Sequence, residues 1–125
     1  MAEEKTSLKW KFKTEGSVTS SALSDGIVFF VSDSYLYALD AKTGEEKWKF
    51  KTEDKIDSSP ALVDGVVYFG SSDNHLYALD AKTGEEKWRF ETGGGVSSSP
   101  AVSDGMVYCG SDDNHLYAVY IGDIM

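Results

Sequence analysis

The sequence has one cysteine and two prolines among its 125 residues, and it has no long apolar run. The single cysteine, Cys109, permits no disulfide within the chain. Because Cys109 aligns with Phe30 and Phe69 in the repeats described below, we expect a small buried hydrophobic residue and not a reactive thiol. No apolar run approaches the roughly 20 residues that a membrane-spanning helix needs.

Basic residues are also in short supply. The chain has 12 lysine and arginine residues against 21 aspartate and glutamate residues, which gives a net charge of −9. A negative charge of this size opposes nucleic-acid phosphates and anionic lipid surfaces, so we expect no nucleic-acid partner and no binding to a membrane surface. From the lack of a long apolar run we expect no membrane span. The polar lead MAEEKTS lacks the basic and apolar regions of a signal peptide, so we expect none, and the compartment stays open.

An internal repeat dominates the rest of the chain. The stretch LYALDAKTGEEKW occurs unchanged at Leu36–Trp48 and Leu76–Trp88, and a shortened copy, LYAV, begins at Leu116. Successive copies begin 40 residues apart, and the tryptophans and Asp-Gly pairs recur with nearly the same period. Units of about 40 residues are typical of propeller blades and of solenoid repeats.

Each repeat has the alternating pattern of antiparallel strands. In EKWRFE, Trp88 and Phe90 fall on one face while Lys87 and Arg89 fall on the other, and no window has a helical stripe. The second repeat therefore predicts strand A in IDSSPALV, strand B in VVYFGS, strand C in HLYALD and strand D in EEKWRFET. The Asp-Gly pairs that follow each strand A predict type I′ hairpins, in which both central residues have positive φ.

The position of proline separates a propeller from a solenoid. Pro60 and Pro100 fall in strand A, and proline is confined to edge strands because it has no N–H to donate. A four-stranded antiparallel unit whose first strand is an edge predicts a β-propeller blade with strand A on the central channel. The channel would be lined by small polar side chains of strand A, namely Asp57, Ser58, Ser59, Ser97, Ser98 and Ser99.

The two ends of the chain are complementary. LKWKFKT is a strand D with no strands A–C before it, and the third repeat loses its own strand D. Because propeller rings have about four to eight blades, we predict a six-bladed homodimer in which each N-terminal strand completes the partner's last blade. A four-chain assembly of two rings, or an open arc, is the second choice. The predicted division is a lead (1–7), an outer strand D (8–14), blade 1 (15–52), blade 2 (53–92), strands A–C of blade 3 (93–120) and a tail (121–125).

The repeated stretch resembles the tryptophan-docking pattern A-x-D-x-x-T-G-x-x-x-W of PQQ-like, quinoprotein-type repeats, and the resemblance extends from Leu8 to Tyr120. It implies that each tryptophan packs between the alanine of its own blade and the Thr-Gly turn of a neighbouring blade. The motif is then a structural contact between blades. The matching residues are Ala38, Asp40, Thr43, Gly44 and Trp48, then Ala78, Asp80, Thr83, Gly84 and Trp88, with Trp10 in the N-terminal strand.

The same family contains quinone-dependent dehydrogenases, but the chain resembles them only in the repeat. Those enzymes typically carry adjacent cysteines over the cofactor and a bound calcium, and one cysteine excludes the pair. His75 and His115 have no third or fourth metal ligand nearby, so we expect packing or surface hydrogen bonds there. The loops SSDN and SDDN lack the full spacing and the bidentate glutamate of a calcium loop, and turns explain them. We predict no catalytic, cofactor-binding or metal-binding residue.

The resemblance implies a scaffold whose loops and edge strands grip peptides or partner proteins, as in non-catalytic members such as an outer-membrane assembly lipoprotein. An alternative is an excised or engineered consensus fragment that self-assembles and has no evolved ligand, because thirteen residues are identical in two copies. A fragment of a quinoprotein dehydrogenase is a minor alternative. Specialisation is confined to the segment entering strand A, where Glu53–Asp57 differs from Gly93–Ser97.

Overall fold

The structure is a computed structural model that describes residues 6–121. Within that range the chain forms three antiparallel sheets and no helix, so no described segment is an apolar helix that could cross a membrane. The all-β class predicted from the repeat is confirmed.

Each sheet follows chain order, and we call the sheets blade 1, blade 2 and blade 3. Blade 1 contains β1 (Val18–Ser24), β2 (Ile27–Ser32), β3 (Tyr35–Asp40) and β4 (Glu46–Lys51); blade 2 contains β5 (Ala61–Val63), β6 (Val66–Gly70), β7 (His75–Asp80) and β8 (Glu86–Glu91); blade 3 contains β9 (Ala101–Ser103), β10 (Met106–Ser111) and β11 (His115–Tyr120).

The Asp-Gly hairpins form as their sequence predicts. Between β5 and β6, Asp64 has φ 52° and Gly65 has φ 78°, and the pairs at 25–26 and 104–105 have the same signs. Positive φ at both central residues matches the right-handed twist of the flanking strands. The prediction of type I′ geometry is therefore confirmed, and all three hairpins join strand A to strand B.

Strand A is shorter than predicted in blades 2 and 3, where it begins only after Pro60 and Pro100. The prediction of a strand from Ile56 onward is wrong for its first five residues. A side chain takes over the pairing there, because Ser58 Oγ accepts the N–H of Gly70 at 2.7 Å and donates to the Gly70 carbonyl at 3.3 Å. Proline, which lacks an N–H, cannot extend the ladder. Blade 1 has no such proline, and β1 runs for 7 residues.

The core lies between the sheets. One buried cluster joins blades 1 and 2 and includes Phe29, Trp48, Phe69 and Tyr77. A second cluster joins blades 2 and 3, and there Cys109 is only 1% exposed. Burial raises the pKa of its thiol, and the predicted buried hydrophobic character is confirmed. Because each blade buries one face against the next, the stability of the arc depends on contacts between blades.

The two ends of the arc lack one neighbour each. The segment Leu8–Thr14 lies outside the three sheets, although its aromatic side chains pack on the far face of blade 1. At the other end, within residues 6–121, β11 is bonded only to β10, and blade 3 has three strands. The predicted strand at Leu8–Thr14 has no ladder partner within residues 6–121, so it stays a prediction.

Candidate functional site

The turn between the third and fourth strands of a blade is built by its aspartate. In blade 1, Asp40 Oδ1 accepts the N–H groups of Lys42 at 2.9 Å and Thr43 at 3.0 Å. These backbone N–H groups, Thr43 first, hold the pKa of the Asp40 carboxyl below its usual value. The turn closes where Gly44 adopts φ 78° and donates its N–H to the Asp40 carbonyl at 2.8 Å.

The equivalent turn of blade 2 has the same geometry. Asp80 Oδ1 accepts the N–H groups of Lys82 at 2.9 Å and Thr83 at 3.0 Å, and Gly84 has φ 79°. The N–H of Thr83 is the largest cause that lowers the pKa of the Asp80 carboxyl. Each turn is therefore a rigid platform with a glycine at its end.

A tryptophan from the preceding blade lies on this platform. Trp48 Nε1 donates to the Ala81 carbonyl at 3.0 Å, and a Cβ on Gly84 would lie 2.6 Å from Trp48 Cδ2. Within its own blade Trp48 is the cross-strand partner of Ala38. Trp48 of blade 1 therefore contacts the turn of blade 2 at Ala81 and Gly84.

Trp10 makes the same contacts with the turn of blade 1, and Trp88 packs between blades 2 and 3. Trp10 Nε1 donates to the Ala41 carbonyl at 3.0 Å, and a Cβ on Gly44 would lie 2.5 Å from Trp10 Cδ2. Trp88 is paired with Ala78 and packs, partly buried, on the cluster between blades 2 and 3. How much these residues stabilise the arc stays a prediction that unfolding measurements test.

An apolar surface lies at the end of blade 3, as expected for an arc with an open sheet face, although none of its residues was predicted from the sequence. Leu116 is 75% exposed, whereas the equivalent Leu36 and Leu76 are both 0% exposed. Tyr108 is 37% exposed, against 5% for its equivalent Tyr68. The signal was available in the repeat, because a position that is buried in two copies needs the same cover in the third. At the opposite end, Leu8, Val18 and Leu23 are exposed.

The residues predicted to line a channel are placed near one another but differ in exposure. The first strands of neighbouring blades contact each other, and the Ser59 N–H donates to Ser99 Oγ at 3.0 Å. Ser58 is the exception, because it is 2% exposed and bonded to Gly70. The others are exposed on the described chain, namely Asp57, Ser59, Ser97, Ser98 and Ser99.

The histidine loops make local hydrogen bonds. His75 Nδ1 lies 3.0 Å from the Asp73 carbonyl, and the Asp73 carboxylate accepts from the hydroxyl of Tyr77 and, at 3.1 Å, from the N–H of Glu53. Burial, and then the bond to Asp73, raise the pKa of Tyr77. Blade 3 repeats this network around Asp113. Across residues 6–121, no group of three or more possible metal ligands lies together.

A surface that the sequence analysis missed lies at the Asp-Gly hairpins. A cavity of about 840 Å³ opens between the three hairpins, and Asp25, Asp64, Asp104, Tyr68 and Trp88 are among the residues that line it. The three Asp-Gly pairs, all at the same turn of their repeats, were the signal that could have located it.

Comparisons with known proteins identify the family. A sequence profile described as outer membrane protein assembly factor BamB matches residues 1–50 and 32–123, nearly the whole chain. The chain belongs to this family of PQQ-like repeat proteins. A comparison with curated proteins gave no match.

Solved structures share the fold. BamB from Moraxella catarrhalis superposes with a TM-score of 0.82 at 24% identity, over 90% of this chain and 36% of that one. The computationally designed Ika8 protein gives 0.77 at 22% identity, over 90% and 36%. The quinohemoprotein alcohol dehydrogenase ADHIIG from Pseudomonas putida HK5 gives 0.75 at 25% identity, over 90% and 20%. The predicted propeller architecture is confirmed, and the chain spans about a third or less of each structure's length.

Proposed function

We propose that the chain is a non-catalytic propeller scaffold that binds protein partners, and that two copies close one six-bladed ring. The observation that carries the proposal is the exposure of the end face of blade 3, where Leu116 is 75% exposed although its two equivalents are fully buried. An apolar sheet face of this kind is a site for association or aggregation unless another sheet covers it.

The face that would cover blade 3 lies at the other end of the same chain. Phe12 lies 6.1 Å from the ring of Phe30 and 5.6 Å from the ring of Tyr37. One blade further on, Phe50 lies 6.3 Å from Phe69 and 5.6 Å from Tyr77. The indole hydrogen bonds of Trp10 and Trp48 match in the same way. These distances support the proposal that the segment 8–14 packs on blade 1 as strand D of blade 1 packs on blade 2.

Head-to-tail contacts of this kind form a ring when the rotation closes and a filament when it does not. Two chains of three blades make six, which is within the range of closed propellers. Blade 3 of each copy would then supply strands A, B and C of a complete blade, and the segment 8–14 of the other copy would supply its strand D.

Two features support a role without catalysis. The only cysteine is buried, and burial raises the pKa of its thiol, which lowers its reactivity. The turns of blades 1 and 2 have the same bonds and distances, whereas an active site needs unlike groups converging on one point. The family description, an assembly factor, supports protein binding as the activity of the scaffold.

A second candidate is a self-assembling propeller fragment with no evolved ligand. The thirteen identical residues at 36–48 and 76–88 favour it, and so does the shared fold with a computationally designed propeller. Both candidates require the same ring. They differ in whether the ring binds another protein, so pull-down with the ring as bait separates them only after assembly has been tested.

Assembly is tested by light scattering over a dilution series. We expect a particle of twice the 13.7 kDa chain mass. Leu116→Asp should give monomers or aggregates because it places a carboxylate in the proposed interface. Lys82→Asp, at an exposed turn of blade 2, is the control and should stay dimeric. A wild-type chain that is monomeric at every concentration would refute the ring.

A further inference from the structure

We propose that the open edge of blade 3 is a peptide-binding site that accepts an isolated extended segment with the pattern Trp-Lys-Phe. Its resident occupant is the segment 8–14 of a second copy, so the inference rests on the proposed ring. The inference goes beyond the ring in two respects. A free peptide of this pattern binds to β11, and it binds in the register that strand D has in the complete blades.

The site begins with an unpaired strand edge. β11 is bonded to β10 from Met106↔Tyr120 to Ser111↔His115, and in residues 6–121 its other edge has no ladder. In the complete blades the equivalent strands β3 and β7 are paired on both sides. An exposed edge of this kind binds an extended peptide through main-chain hydrogen bonds, while alternate side chains supply specificity.

The complete blades define the register of the occupant. Ala38 pairs with Trp48 and Ala78 pairs with Trp88. The equivalent position in blade 3 is Ala118, which is exposed. The small methyl group of alanine leaves room for an indole ring, so the tryptophan of the peptide lies opposite Ala118.

The phenylalanine is positioned by the same rule. Leu36 pairs with Phe50 and Leu76 pairs with Phe90, so the phenylalanine of the peptide lies opposite Leu116. This contact would cover part of the side chain that is 75% exposed in the single chain. The main-chain bonds of the added strand supply the basis of the affinity, and the two aromatic side chains add apolar contact with Ala118 and Leu116.

A cation between the two aromatic residues completes the pattern. Tyr77 pairs with Arg89, whose guanidinium lies 5.0 Å from the centre of the tyrosine ring. The equivalent tyrosine in blade 3 is Tyr117, and in the segment 8–14 the residue between Trp10 and Phe12 is Lys11. Lys11 of the occupant would therefore lie over Tyr117 of the acceptor, which adds a cation–π contact.

Recognition is centred on these three residues. In both complete blades the register shifts by a bulge just beyond the tryptophan, between Ala38 and Leu39 and between Ala78 and Leu79. We therefore expect the peptide residues N-terminal to the tryptophan to pair less regularly with β11. The peptide also lacks the blade 1 that Trp10 and Phe12 pack on in a whole second copy, so it should bind more weakly than that copy.

The test uses the full chain carrying Trp10→Ala and Phe12→Ala, which weakens its own segment, and a fluorescent peptide TSLKWKFKTE. We expect saturable binding by fluorescence polarisation. Affinity should fall by roughly tenfold or more for a peptide with both aromatics changed to alanine, and also for the isomer TSLWKKFKTE, which moves the indole to the other face. Ala118→Leu in the acceptor should have the same effect, because it fills the space of the indole. Equal binding of all three peptides would overturn the inference.

If the doubly substituted chain does not fold, the wild-type chain supplies the measurement. Excess wild-type peptide should convert dimers into monomers in light scattering, and the isomer should not. A chain that dimerises but ignores both peptides refutes the peptide site and leaves the ring. A chain that binds the peptide specifically but never dimerises refutes the ring and leaves the site. Neither dimer nor peptide binding refutes both.

Discussion

Trp48 of blade 1 lies directly on Gly84 of blade 2, so closely that a methyl group on the glycine would lie 2.6 Å from Trp48 Cδ2. The glycine also has φ 79°, a conformation that other residues adopt at a cost. Two requirements therefore meet at one residue, a backbone conformation and an empty space. They can be separated because Gly65 has φ 78° with nothing within 4 Å of its Cβ position.

We predict that Gly84→Ala destabilises the protein more than Gly65→Ala does. Gly65→Ala should cost about 1–2 kcal/mol, the cost of a left-handed conformation alone. Gly84→Ala should cost about 1–3 kcal/mol more, because the methyl group displaces the indole ring. Urea unfolding at one protein concentration measures both variants. Equal costs would mean that the tryptophan contact adds nothing to stability.

A second prediction concerns the indole hydrogen bond. Trp48→Phe removes the donor to the Ala81 carbonyl and part of a side chain that is only 9% exposed. We expect a loss of about 2 kcal/mol in unfolding free energy, from the unpaired carbonyl and from the lost packing. The matched variant Trp88→Phe, at a less buried ring, should cost about 1 kcal/mol or less. The same denaturant measurement checks both, and a larger loss at Trp88 would contradict the ordering.

Local chemistry explains which parts of the fold were predictable. The Asp-Gly pairs act through backbone preference alone, so their hairpins and positive φ values could be read from adjacent residues. The start of strand A could not, because it depends on the Ser58 hydroxyl reaching Gly70, 12 residues further along the chain. The exposure of Leu116 depends on whether another blade packs on the open face of blade 3, as blade 2 packs on Leu36. That is a property of assembly, which local pattern does not encode.

A third prediction follows from the Asp80 turn. Backbone N–H groups, that of Thr83 first, hold the folded-state pKa of Asp80 below the usual value of an aspartate. The unfolded chain therefore takes up the proton first as the pH falls, so the stabilisation is present above the unfolded pKa and is lost as the pH drops through the folded pKa. The free energy of unfolding should therefore fall as the pH is lowered from about 5 to about 3. It should fall less steeply in Asp80→Asn.

The control for this prediction lies in the same turn. Glu85→Gln removes a carboxylate that accepts none of the backbone bonds described for Asp80. Its unfolding free energy should follow the wild-type pH dependence. If Asp80→Asn and Glu85→Gln flatten the curve equally, general charge repulsion and not the Asp80 hydrogen bonds would explain the effect.

A fourth prediction uses Cys109 as a reporter of contact between blades 2 and 3. Its side chain is 1% exposed in the cluster that joins them, and burial raises the pKa of the thiol. A disulfide reagent such as dithionitrobenzoate should therefore react with the native chain far more slowly than with the chain in urea, because only an opened molecule presents a thiolate. Trp88→Ala should speed the native reaction, since Trp88 packs on the same cluster. Trp10→Ala, whose contacts lie on blade 1, should change it less. Rapid labelling of the native wild-type chain would contradict the close packing of blades 2 and 3.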